Sequence, residues 1–172
     1  MVYPTAYVYE YRKNIFFFIM SRHPIDDRAL IPIDFIFVDI NAHQGEIGMA
    51  ATNSISKFSI GQSELMQYQT DIIHKNICRW VGARGIKSFE KNYRFITITK
   101  DSVKNQFTIN PYDNFNKFPC QWAFDKDVVK IQSDCTDEEL GGAILLAFER
   151  STYHPERKDP KYKESKPVFR LP

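Results

Sequence analysis

The chain has 172 residues, 43% of them hydrophobic and 15% aromatic, enough for one well-buried domain and too few for two ordinary ones. With 26% charged residues and only 7 glycines it is neither a disordered nor a fibrous sequence, and its formal net charge of +2 by itself predicts no nucleic-acid or membrane partner. Cys78, Cys120 and Cys135 are odd in number and widely spaced, which argues against a disulfide framework or a zinc site and fits a reducing cytoplasm.

In chain order, Tyr7 to Tyr11 alternate as a strand does, Lys13-Asn14 reads as a turn, and Ile15 to Met20 reads as a buried strand. That run is also too short for a signal core or a membrane span. Pro24-Ile-Asp-Asp is a turn, and Ile33 to Ile40 a strand with Pro32 just ahead of it. A first helix is expected from Gly45 to Phe58, with Ile47, Ala50, Ala51, Ile55 and Phe58 on one face. A second is expected from Ser63, its cap, to Val81, burying Met66, Ile73, Ile77, Trp80 and Val81 and ending at Gly82 and Gly85.

Tyr93 to Lys100 and Gln106 to Asn110 make a hairpin closed near Ser102 to Asn105. Pro111 to Pro119 reads as a loop, carrying Phe115 and Phe118, and Val128 to Gln132 as a last strand. A third helix runs from Asp137 to Ser151 with Leu140, Ala143, Ile144, Ala147 and Phe148 on its apolar side. Thr136-Asp-Glu-Glu139 ahead of it has the spacing of a capping box, so these acids are explained by the helix start rather than by catalysis.

Two stretches repeat an acid, an aliphatic, a glycine, any residue and an alanine: Glu46-Ile-Gly48-Met-Ala50 and Glu139-Leu-Gly141-Gly-Ala143. Lys13-Asn14 and Lys91-Asn92 each precede a strand, and Val38-Asp-Ile-Asn matches Val129-Lys-Ile-Gln ahead of the two helix starts. The expectation is one α+β domain over residues 1–152, an antiparallel sheet with packed helices in two pseudo-repeated β-β-β-α halves. Gly48 and Gly141 would let their helices lie close on the sheet. Residues 153–172, with prolines and interleaved charges, read as an irregular tail.

Charge is blocked along the chain. Lys75 to Lys100 is basic, and Asp101 to Glu149 is mostly acidic. Such blocks either pair across the fold or leave an acidic face able to steer a basic partner. Chemistry-bearing motifs are missing: His23, His43, His74 and His154 are scattered, and there is no phosphate loop and no nucleophile elbow. No cofactor, metal or catalytic residue is expected.

The run Asp134-Cys-Thr-Asp-Glu-Glu-Leu-Gly-Gly-Ala-Ile-Leu-Leu-Ala-Phe-Glu-Arg-Ser151, with Gly85-Ile-Lys-Ser-Phe-Glu-Lys-Asn-Tyr93 and a strand ending in Asn110-Pro111 upstream, resembles the immunity proteins of bacterial contact-dependent growth inhibition. The resemblance covers roughly residues 84–151 and implies a cytoplasmic, non-enzymatic inhibitor. Its partner would be the toxic C-terminal domain, often a nuclease, of a large surface-exposed effector. Binding residues vary between such proteins and do not carry over; Leu140, Gly141, Ala143 and Ser151 read as scaffold.

Because a nuclease presents a basic cleft, the expected contacts are acidic and aromatic: Asp113, Phe115, Phe118, Trp122, Asp125 and Asp127. The same aspartates also suit turns, and Phe118 and Trp122 also suit a core. The alternative function is nucleic-acid binding through Arg84, Lys87, Lys91, Arg94 and Lys100, with Phe89, Tyr93 and Phe95 as stacking platforms.

Overall fold

The computed structural model describes residues 3–23, 29–61, 70–90, 93–114, 121–123 and 127–151. Three strands come first, β1 (Thr5–Tyr11), β2 (Asn14–Arg22) and β3 (Leu30–Asp39), followed by α1 (Gln44–Ser56) and the two-residue β4 (Ser59–Ile60). Then come α2 (Thr70–Trp80), α3 (Ile86–Glu90), β5 (Tyr93–Asp101), β6 (Gln106–Asn114), β7 (Gln121–Ala123), β8 (Val129–Gln132) and α4 (Asp137–Arg150). All the strands join one sheet in the order β3-β2-β1-β5-β6, with β7 and β8 pairing with successive parts of β6. Pairing is antiparallel except for β4, which lies parallel to the end of β2 at Ser21 and Arg22.

The two halves are real and meet at β1 and β5, which pair through Val8 and Ile96. On one side run β1, β2, β3 and α1; on the other run β5, β6, β8 and α4. The correspondence reaches the backbone. The β1–β2 turn holds Arg12 at φ 59° and the β5–β6 turn holds Asn105 at φ 50°. Beyond β3 the Ile40 N–H donates to the Lys13 carbonyl at 2.8 Å; beyond β8 the Ser133 N–H donates to the Asn105 carbonyl at 2.9 Å. This corrects one match made from the sequence. The counterpart of the Lys13-Asn14 turn is the Ser102–Asn105 turn, whereas Lys91-Asn92 precedes the strand equivalent to β1.

Helices cover both faces of the sheet, which is why β2 is a continuous apolar run rather than an alternating one. Under α1 and α4 the face is largely aliphatic, built from Val8, Ile15, Phe17, Ile96, Ile98 and Ile109 against Ile47, Ala51, Leu140, Ile144 and Phe148. Under α2 and α3 it is aromatic. Tyr9 stacks on Phe95 with ring centroids 4.5 Å apart and meets Phe18 edge-on at 5.3 Å. Burial pushes the Tyr9 phenol well above its ordinary pKa.

Several boundaries move for physical reasons. Phe58 falls beyond α1, past the C-cap Lys57, and packs with the aromatic face instead of the α1 stripe. Pro32 lies inside β3, beside the register shift between Ile19 and Met20; β3 is an outer strand, where an absent N–H is tolerated. Pro111 to Asn114, expected in a loop, continue β6. Pro111 falls between the stretches that pair with β8 and with β7, so its missing donor breaks neither ladder.

Gly82 ends α2 at φ 67°, with its own N–H on the Arg79 carbonyl at 3.3 Å and the Ala83 N–H on the Cys78 carbonyl at 2.8 Å. Gly85, expected to help end α2, starts α3 by accepting from Ser88 and Phe89. The Ser63 cap, Met66, the Pro24 turn and the 153–172 tail lie outside the described residues.

Candidate protein-binding surface

The most constrained feature of the surface is the crossing of α1 and α4. Both starts are capped by their own sequence. The Thr136 hydroxyl accepts from the Glu139 N–H at 3.2 Å, and the Glu139 carboxylate accepts from the Thr136 N–H at 2.8 Å. At α1 the cap is His43, whose Nδ1 accepts from the Gly45 N–H at 3.2 Å. A Cβ built on Gly48 would sit 1.8 Å from the Asp137 carbonyl oxygen, and one on Gly141 would sit 1.9 Å from that of Gln44.

Each glycine therefore faces the first residue of the other helix, not the sheet, which corrects the sequence reading. Gly48 over Asp137 and Gly141 over Gln44 make the contact locally antiparallel, with both helix starts side by side. The carbonyls lie within reach of Cα–H···O contacts from the glycines. Thr52 donates to the Asp137 carboxylate at 3.2 Å, and His43 Nε2 lies 3.7 Å from Glu138.

The Glu139 pKa is lowered, first by its bond from the Thr136 backbone N–H and then by the Thr136 hydroxyl. A carboxylate held down in this way contributes stability above its ordinary value of 4.5 and loses it as pH falls through the lower folded value. Thr136→Ala should cost about 1 kcal/mol at neutral pH. In urea unfolding followed across acid pH, the gap between wild type and variant should narrow below the ordinary glutamate range. A pH-independent gap would show that the Thr136 hydroxyl adds nothing to the hold that the backbone N–H has on the Glu139 carboxylate.

Together α1 and α4 carry Glu46, Asp137, Glu138, Glu139 and Glu149 against one base, Arg150. The Arg150 guanidinium is turned to the Asp127 carbonyl at 3.1 Å. Across the sheet, α2, α3 and their connection expose Lys75, Arg79, Arg84 and Lys87. The ion pairs described, His43–Glu138, Arg94–Glu10 and Lys104–Asp101, do not join the two blocks. Opposite charges thus stand on opposite helix layers. Met49 (51% exposed) and Leu146 (39% exposed) are the large apolar side chains left open on the acidic layer among the described residues. In the sequence, Met49 is the one large apolar residue of α1 off its buried stripe, a signal the sequence reading passed over.

Of the contact residues expected from the sequence, Asp113 and Trp122 are direct partners across the β6–β7 pairing. Asp127 is half-buried beside the last turn of α4 through the Arg150 bond. Phe115, Phe118 and Asp125 lie outside the described residues.

The alternative nucleic-acid platform is not assembled as expected. Phe89, Tyr93 and Phe95 are buried, with Phe89 and Tyr93 stacked at 4.8 Å inside the aromatic face. Arg94 is committed to the fold: it pairs with Glu10, donates to the Phe148 carbonyl at 3.2 Å and lies over the Phe148 ring. Arg84 and Lys87 are exposed, Lys100 lies over the Phe107 ring, and Lys91 is outside the described residues.

Burial, aided by nearby Glu139, pushes the Cys135 thiol up, which keeps it from thiolate reactivity near neutral pH. Cys78 is buried, and Cys120 lies outside the described residues. Among the described residues no group of three metal-ligating side chains comes together, and no helix is long and apolar enough to cross a membrane.

No known family profile and no curated protein matches the chain. Solved structures do. A protein of unknown function from Neisseria meningitidis matches with a TM-score of 0.69 at 16% identity, over 87% of this chain and 95% of that one. A chain of the CdiA-CT/CdiI toxin and immunity complex from Yersinia pseudotuberculosis matches with a TM-score of 0.70 at 14% identity, over 87% and 98% respectively. At these identities the likeness establishes a shared fold.

Proposed function

We propose that the protein is an immunity protein. In this reading it acts in the cytoplasm, without catalysis, by binding and blocking the toxic C-terminal domain, a nuclease, of a contact-dependent growth inhibition effector. The observation that carries the reading is the near-complete overlap with a chain of a toxin and immunity complex. It joins the sequence resemblance to the immunity proteins carried by the run from Asp134 to Ser151, which holds α4 and its caps. The scaffold, one sheet packed between helices on both faces, supports it, since a stoichiometric inhibitor needs a preorganised surface more than a reactive group.

Within this reading the β6–β8 connection contributes contacts through Asp113, Phe115, Phe118, Trp122, Asp125 and Asp127. The deciding experiment is to look for an effector gene beside this one and to co-purify the protein with the C-terminal domain of that candidate effector, together with rescue of cells expressing that domain. A one-to-one complex and restored growth are expected; a mixture that elutes as two separate species, with no rescue, rejects the reading. The variant Asp113→Lys/Asp125→Lys should weaken that complex roughly tenfold or more at low salt. Unchanged affinity would remove these two residues from the interface.

A further inference from the structure

We propose that the outward face of the α1/α4 layer is a docking surface for a basic, partly apolar surface of the partner protein. The inference rests on the immunity reading and adds where the partner sits. Three observations lead there, beginning with charge. The charged residues of α1 and α4 are five acids against one base, and that base, Arg150, is bonded to the Asp127 carbonyl. Lys57 at the far end of α1 and Arg94, paired with Glu10 under the end of α4, stand away from the two helix starts where four of the acids gather. The exposed bases Lys75, Arg79, Arg84 and Lys87 stand on the opposite layer. A field segregated in this way orients an approaching basic surface toward one side of the molecule.

Charge alone steers without holding. The second observation is that the same layer leaves Met49 and Leu146 open, and Met is adaptable in the way protein contacts favour. A partner that covers both would exclude water from around the neighbouring carboxylates. The third observation is rigidity. The glycine-to-backbone contacts at Gly48 and Gly141 fix the two helices against each other, so the face is presented with little ordering left to lose. It also reaches Asp127, because Arg150 ties that residue to the last turn of α4.

The acids divide by task. Asp137 and Glu139 are engaged at the helix starts, whereas Glu46 and the largely exposed Glu138 can be reversed without removing a cap. The test uses the full chain and the candidate toxin domain of the co-purification experiment, with binding kinetics measured at low and at physiological salt. Glu46→Lys/Glu138→Lys should slow association roughly tenfold and flatten its salt dependence. Met49→Ala/Leu146→Ala should instead speed dissociation roughly tenfold or more.

A control on the other layer, Lys75→Glu/Arg84→Glu/Lys87→Glu, should associate as fast as wild type or faster. Circular dichroism and urea midpoints check that each variant is folded. If both α1/α4 variants bind as wild type does, whatever the control does, the docking face is wrong. Wild-type protein that fails to bind the domain at all rejects the immunity reading instead, so the two failures are distinct.

Discussion

Gly48→Ala is expected to destabilise the protein by about 2–4 kcal/mol, although alanine is the better helix former by up to about 1 kcal/mol. The added methyl carbon would lie 1.8 Å from a backbone oxygen of Asp137, a carbonyl in the first turn of a capped helix. No side chain can rotate to relieve that contact, so α1 and α4 would have to separate by about an ångström or more and loosen the Ile47, Leu140 and Ile144 packing beneath them. Gly141→Ala meets the Gln44 oxygen at 1.9 Å and should cost a similar amount.

The double variant should cost less than the sum, because one outward shift of the helices relieves both clashes. Gly142→Ala is the control of opposite sign. Its methyl carbon would lie 3.4 Å from the flexible end of Gln44, so the helix propensity gain of about 1 kcal/mol should largely survive. Urea midpoints for the four variants decide the matter. A Gly48→Ala protein as stable as wild type would mean that the helices do not cross as described.

Arg94→Ala should cost about 2–3 kcal/mol, mainly through what it leaves behind. The Glu10 side chain is 15% exposed and that of Arg94 31%, so truncation strands a carboxylate that water reaches poorly. It also removes the donor to the Phe148 carbonyl near the end of α4 and a cation from the negative end of that helix. Removing both charges with Arg94→Met/Glu10→Leu should recover most of the loss, since apolar contacts replace a buried pair at little net cost. A double variant as unstable as Arg94→Ala would place the importance of Arg94 in the Phe148 contacts rather than in the pair. Either way this arginine serves the fold, which weakens the nucleic-acid alternative beyond the burial of Phe89, Tyr93 and Phe95.

Much of the architecture was legible along the chain because it is governed locally. The Ile15–Met20 run is apolar at every position because both sides of β2 are covered, and the Thr136 capping box forms as its spacing says. The helix α3 escaped notice because five residues show no period, and Gly85 looks alike whether it ends one helix or begins another. Phe58 fitted the α1 stripe by spacing, yet Lys57 ends that helix one residue earlier and sends the ring to the other face. Pro111 looked like a loop residue because proline is excluded from a fully paired strand; the gap between β7 and β8 along β6 is invisible without the pairing.

By itself the sequence determined an α+β chain of two similar halves, the starts of both major helices, the apolar stripes that bury them and the positions where a side chain is absent. Only the tertiary structure decided what those absences face. Pairing β1 with β5 brings Thr5 beside Thr99 and carries α1 and α4 onto one side of the sheet, where each glycine meets the other helix. The same non-local step set the acids of α1 and α4 and the exposed bases of α2, α3 and their connection on opposite helix layers, while Arg94 of the basic stretch reaches the end of α4. Periodicity and capping are properties of neighbouring residues; which glycine touches which helix, and which charges share a surface, depends on strand order, and strand order is settled by contacts between residues far apart in the chain.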